Sequence, residues 1–295
     1  MKDASQVQSH PVPEEFRIFL KPVAEFFEKD TAAPSTPEGT RWRGSQAGQC
    51  GRKVAYETLG EPRTDPPTPA DLWRMGLGTM VHAQLEPAIQ HWLDTDESLV
   101  IDEEVSIKLG LHGYGHADML LTTNDSDHKV LCELKTINGT GYKQAIGGAG
   151  PRHSALLQGA LYAEALEADL LVICYLATEL LGPGWADSRG FDNTTRFGAE
   201  WHYTREEFLP MAQAERLRLE SITSMVHDRQ DPSAAARAFA HSDPDIPANA
   251  EIVDPRTGLW REFSHTDVVL SQGKTWQCNY CSHQQRCIQD HDEGN

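Results

Sequence analysis

No window of eighteen or more apolar residues occurs in the 295-residue chain, which excludes an α-helical membrane span. The first residues (MKDASQVQSHPVPEEF) lack the apolar core of a secretion signal, so a cytoplasmic protein with no membrane partner is expected. Cysteine is scarce, with six residues, and in a reducing compartment these are expected as thiols or metal ligands rather than disulfides. Positive charge is also scarce: 26 Lys and Arg stand against 44 Asp and Glu, a net charge of −18. That balance excludes a surface coated for non-specific binding along nucleic acid. It does not exclude a local phosphate site, because local potential outweighs the total and a metal-binding carboxylate site is acidic whatever it acts on. Internal repeats are absent, and the length suits one large domain with insertions or two small ones.

Apolar spacing predicts a helix over 13–29, interrupted by Pro22, and a linker over 31–40. Ser45 is the expected cap of a helix running through Leu59, and a long helix is expected from about 69 to 93 despite Gly76, Gly78 and Pro87. Strands follow at 99–109, 114–122 and 129–136, the last two joined by a turn at 124–127. A glycine-rich mobile loop is expected over 139–150, then a helix over 151–168 started by Pro151. Strands at 170–176 and 196–203 and a helix over 205–227 complete the core, and residues 228–275 read as loops with short elements. Helices before and between clustered strands predict an α/β core with a mixed central sheet.

The charged residues inside the third strand carry chemistry. Glu133 and Lys135 lie two apart in CELKT, so they share one face of a strand while Leu134 faces the other way. Holding that pair in an apolar run is costly unless each charge has a task or a partner. Asp118, on the preceding strand, adds a second carboxylate. A carboxylate followed by ExK on successive strands is the skeleton of a metal-dependent nuclease site. The carboxylates and the Leu134 carbonyl are candidate ligands for Mg²⁺ or Mn²⁺, and Lys135 would position the attacking water or offset phosphate charge. His82 on the preceding long helix is a further candidate ligand, with Glu86 one turn on. His116, Lys143 and Arg152 are candidate substrate contacts. Gln158 and Tyr162 share a helix face and are candidates to bind phosphate or orient Lys135.

Cys278, Cys281 and Cys287 have metal-ligand spacing. Three thiolates are one short of the usual four for zinc or an iron–sulfur cluster, and Cys50 is the natural fourth, with His283 a rival that would favour zinc. Cys132 and Cys174 lie in apolar runs and read as buried thiols. Gly273-Lys274-Thr275 lacks the upstream glycine of a phosphate-binding loop, since Val268 stands there.

Taken together, the ordered motifs resemble the RecB-like branch of the PD-(D/E)XK nucleases, closest to the iron–sulfur exonucleases of the CRISPR-associated Cas-four group, related phage exonucleases and the AddB nuclease domain. The shared marks are His82, Gly115 to Asp118, Glu133 to Lys135, Gln158 to Tyr162, and Cys50 with Cys278, Cys281 and Cys287. The resemblance covers roughly 41–290: a core over 70–227, with cluster segments 41–60 and 276–290 closing an iron–sulfur subdomain and 1–40 as an added helix and linker. It implies a structural 4Fe-4S cluster on the four cysteines. It also implies a Mg²⁺- or Mn²⁺-dependent DNA exonuclease, with possible endonuclease activity, acting mainly on single strands or ends. CRISPR adaptation or recombination proteins are the implied partners. The competing readings are a non-catalytic DNA-end-binding module of the same fold and a nuclease specific for RNA.

Overall fold

Short apolar runs bounded by turn residues build three long strands in the middle of the chain: β2 (Leu99–Leu109), β3 (Gly113–Thr123) and β4 (Lys129–Ile137). The turns between them use left-handed residues, Gly110 (φ 61°) and Asp127 (φ 52°). The computed structural model describes residues 41–65, 67–95, 99–229, 251–253, 260–262 and 281–287. The helix expected at 13–29, most of 228–275 and Cys278 lie outside these residues.

A two-residue strand not foreseen from sequence, β1 (Trp42–Arg43), pairs in parallel with β3 at Gly113 and Tyr114. β5 (Leu170–Ala177) runs parallel to β4 and antiparallel to β6 (Gly198–Thr204), which makes the sheet mixed. The apolar run of β5 fits a central strand covered on both faces. β2 lies along one side of β3, whereas β1 and β4 share its other side. β1 takes Gly113–Tyr114 and β4 takes Met119–Thr122. Between them, Gly115–Asp118 has no strand partner on that side among the described residues. The sheet is parted there, and the candidate site sits in the parting.

Helix α1 (Gly51–Thr58) starts at Cys50 rather than Ser45, which lies in a 3₁₀ turn (Gly44–Gln46) where the Gln46 side chain accepts from the Arg43 amide. Gly60 (φ 69°) ends it. The long helix α2 (Pro69–Thr95) is continuous through both glycines and Pro87. The stretch expected as a mobile loop is instead helix α3 (Gly139–Gln144) with a π turn (Ala145–Ala149). Asn138 caps it by accepting from the Gly141 amide, and buried Tyr142 anchors it. α4 (His153–Ala165) begins two residues after Pro151, α5 (Pro183–Asp187) is short, and α6 (Arg205–Arg229) is long. The strands β7 (Glu251–Val253) and β8 (Trp260–Glu262) form a separate pair. No described helix is long and apolar enough to cross a membrane.

α4 and α6 cover one face of the sheet around Leu131, Leu171, Ile173, Leu161, Phe208 and Leu219, while Met119, Leu121, Cys132 and Val172 form a smaller cluster on the other. α4 approaches the strands through Gly159, where a Cβ would fall 2.8 Å from Ile173 and 2.9 Å from Leu171. That close approach sets α4 directly over Glu133.

Candidate active site at the parted strands

Glu133 is fully buried, with its Cβ under Gly159. The Lys135 ammonium contacts its Oε1, and Oε2 has no hydrogen-bond partner among the described residues. A buried carboxylate oxygen with nothing to satisfy it is costly, so the site fits a cation better than the surrounding protein fills it. Asp118 reaches across the parting: its Oδ2 accepts the Leu134 amide at 2.7 Å, replacing a ladder bond where β3 and β4 separate. The β2–β3 register passes from Glu103↔Met119 to Val105↔Ala117 around Glu104, whose φ is 52°. At that point Ala117 still faces the main core whereas Met119 faces the smaller cluster. This local irregularity frees Asp118 from regular alternation and aims it at β4. His82 of α2, half-buried, places Nδ1 3.9 Å from Asp118 Oδ1.

The electrostatics follow from the burial. Desolvation, reinforced by Asp118 and opposed by Lys135, pushes the Glu133 carboxyl up to about 7. For Lys135, burial alone would lower the ammonium, but Glu133 and Asp118 outweigh it and the net shift is upward. Lys135 therefore stays charged near neutral pH and is suited to act as a fixed cation, not as a base.

Tyr162 joins the two carboxylates. Burial and then Glu133 raise its phenol above the ordinary value, while Gln158, which donates to its hydroxyl at 3.3 Å, opposes the rise. Its Cε1 edge fills the space that a Cβ at Gly115 (2.5 Å) or at Gly44 (2.3 Å) would need. The glycine three residues before Asp118 is thus required by the tyrosine of α4. Gly115→Ala should force the ring out of place and lower stability by about 1–3 kcal/mol, seen as a drop of several degrees in Tm. An unchanged Tm would show that the ring yields freely.

The remaining candidates sort unevenly. His116 is exposed and meets Ser106 Oγ at 3.2 Å, so it does not share the carboxylate cluster. The Arg152 amide donates to the Tyr175 hydroxyl at 2.7 Å, and Tyr175 in turn acts electrostatically on Lys135. Tyr175 carries no signal in the sequence, although it pairs with Lys135 across β4 and β5. Lys143 is exposed on α3 beyond the end of β4, and the Glu86 side chain lies outside the described residues. Among the described residues, no three His, Cys, Asp or Glu side chains are gathered closely enough to hold one ion as they stand. His82 meets Asp118, Asp118 acts electrostatically on Glu133, and Lys135 sits on the Glu133 carboxylate.

Residues 281–287 dock on α1 and the loop after it. Asp65 accepts the Gln285 amide at 2.9 Å, its own amide donates to the Ser282 carbonyl at 3.0 Å, and the His283 ring lies 5.3 Å from that of Tyr56. This brings Cys50, Cys281 and Cys287 together. Burial first, and then the neighbouring Cys50 and Cys287 thiols, push Cys281 up to about 11 against the pull of Lys53. Arg52 Nη1 donates to Cys287 Sγ at 3.7 Å. The three thiols are thus near enough to act on one another electrostatically but not gathered closely enough to hold an ion as they stand, and Cys278 lies outside the described residues. Burial pushes Cys132 to about 12 and Cys174 to about 11, as suits inert strand thiols.

No family model and no curated protein matches the chain. Among solved structures it is similar to the crystal structure of SSO0001, at 17% identity over 72% of this chain and 90% of that one, TM-score 0.43. It is also similar to an alkaline exonuclease (LHK-Exo) from Laribacter hongkongensis, at 12% identity over 70% and 97% of the chains, TM-score 0.37. LHK-Exo in complex with dAMP matches at 13% identity over 66% and 94%, TM-score 0.41.

Proposed function

We propose that the protein is a divalent-metal-dependent DNA exonuclease of the RecB-like PD-(D/E)XK type, acting on single strands or ends and stiffened by a 4Fe-4S cluster. The observation that carries this reading is the buried, half-satisfied carboxylate of Glu133 set between Asp118 and Lys135. Asp118, Glu133, His82 and the Leu134 carbonyl would hold Mg²⁺ or Mn²⁺. That ion would supply an activated water and neutralise charge on the scissile phosphate. In hydrolysis, water adds to phosphorus, the ester P–O bond breaks, and the leaving oxygen takes a proton. Lys135, kept charged by its neighbours, orients that water and offsets phosphate charge. Tyr162, backed by Gln158, would pack against Gly115 beside the carboxylates and hold that side of the site in place. Cys50, Cys278, Cys281 and Cys287 would hold the cluster, whose role is to fasten residues 281–287 to α1. CRISPR adaptation or recombination proteins are the partners that belong to this reading.

The test is release of label from end-labelled single-stranded DNA by anaerobically purified protein, with Mn²⁺ or EDTA, beside an RNA of the same sequence. Mn²⁺-dependent release from DNA is expected. Folded protein that releases nothing, that cuts equally in EDTA, or that cuts only RNA would overturn it.

A further inference from the structure

We propose that Lys143 and Arg189, gathered on Trp185 beyond the end of β4, form a phosphate-gripping subsite for a single strand of nucleic acid leading to the carboxylate site. The proposal rests on the nucleic-acid-cleaving reading and names where the strand lies. Lys143 Nζ stands 5.5 Å from the centre of the Trp185 ring and Arg189 Cζ 4.2 Å, so one indole organises two cations. The Arg189 guanidinium is held further by donating to the Trp185 carbonyl at 3.4 Å and Ser188 Oγ at 3.2 Å. Trp185 itself packs against the main core and Phe191, so the platform is anchored while both cationic side chains are exposed.

Position and charge point the same way. Lys143 follows Lys135 by two strand residues and one short helix, a chain path of no more than roughly 20 Å. The Tyr142 hydroxyl donates to the Thr195 carbonyl at 2.8 Å, which fixes α3 against the loop that carries Arg196 and exposed Phe197. On the same loop, Asp192 is occupied by the Thr195 amide and hydroxyl at 2.7 Å each. No carboxylate among the described residues lies within 4.0 Å of Lys143, Arg189 or Arg196. In a chain with a charge of −18, two exposed cations on one indole without an ion pair form a local site for a polyanion, while Arg196 is engaged in donating to the Leu181 carbonyl at 3.0 Å. Cations interleaved with aromatics are what a single strand uses, through phosphates and base faces together.

The experiment measures binding of fluorescein-labelled oligo(dT) by anisotropy in EDTA, across a salt series, for Glu133→Gln and for Glu133→Gln carrying Lys143→Gln and Arg189→Gln. Loss of about tenfold in affinity at low salt is expected, with the salt slope shallower by about 1.4 for two lost contacts. Both substitutions are at exposed positions, and circular dichroism checks the fold. Equal affinity and slope overturn the subsite, as does absence of any binding, even if the wild type cleaves DNA. Weakened binding with a wild type that never cleaves keeps the subsite and overturns the nuclease reading.

Discussion

Glu133→Gln is expected to leave a folded protein that cleaves DNA slower by a factor on the order of a thousand or more, because several kcal/mol of charge stabilisation pass through this carboxylate. The same substitution should change stability in the opposite sense at high pH. Burial raises the folded-state pKa from 4.5 to about 7. The native protein therefore holds a proton that the unfolded chain has released over this interval. Its contribution to stability is complete below the unfolded value and is lost as pH rises through about 7, a swing on the order of 3 kcal/mol. Metal-free wild type should lose Tm between pH 5 and pH 8.5 to that extent, and the Gln variant should not. At pH 8.5 the variant should melt higher although it is inactive, which is the stability cost of keeping a catalytic charge in a dry place. Parallel Tm curves for the two proteins in EDTA would show that Glu133 does not titrate in this range.

On the proposed iron–sulfur reading, anaerobically purified wild type is brown, and Cys281→Ser should bleach it, remove iron and sulfide, and lower Tm by about 10 °C or more. The size follows from topology. A centre joining Cys50 to the 281–287 segment closes a loop of more than 200 residues, worth on the order of 5 kcal/mol in chain entropy, and each kcal/mol moves Tm by about 2–4 °C at this chain size. Cys132→Ser is the control, since Cys132 lies in the small cluster of the sheet and should keep the colour. Unchanged iron content and Tm in Cys281→Ser would remove the cluster from the account.

The strands carrying the chemistry were legible because their signals are local. The apolar runs in β2 to β4 and the turn at 124–127 gave boundaries within a residue or so, and the i, i+2 spacing of Glu133 and Lys135 gave their shared face. What sequence could not give depends on tertiary contact. β1 is two residues long and shows no period, so its place beside Gly113 is set by the Trp42 ring. The 139–150 stretch reads as a loop from its glycines, yet the Asn138 cap and the anchor of Tyr142 on Thr195 make it helical. Regular alternation would put His116 with Asp118, and the irregularity at Glu104 undoes that. Tyr175 pairs with Lys135 only once β5 is known to lie beside β4.

The contacts of Asp65 with Gln285 and Thr64 with Arg286 join partners 220 and 222 positions apart. During synthesis at about 5–20 residues per second, the amino-terminal half of this clasp waits about 10–40 s for its counterpart. Through that interval the parted sheet, complete by β6, can already form, while α1 and its cysteine stand open. A nascent chain would thus hold an assembled carboxylate site on a scaffold not yet fastened by residues 281–287.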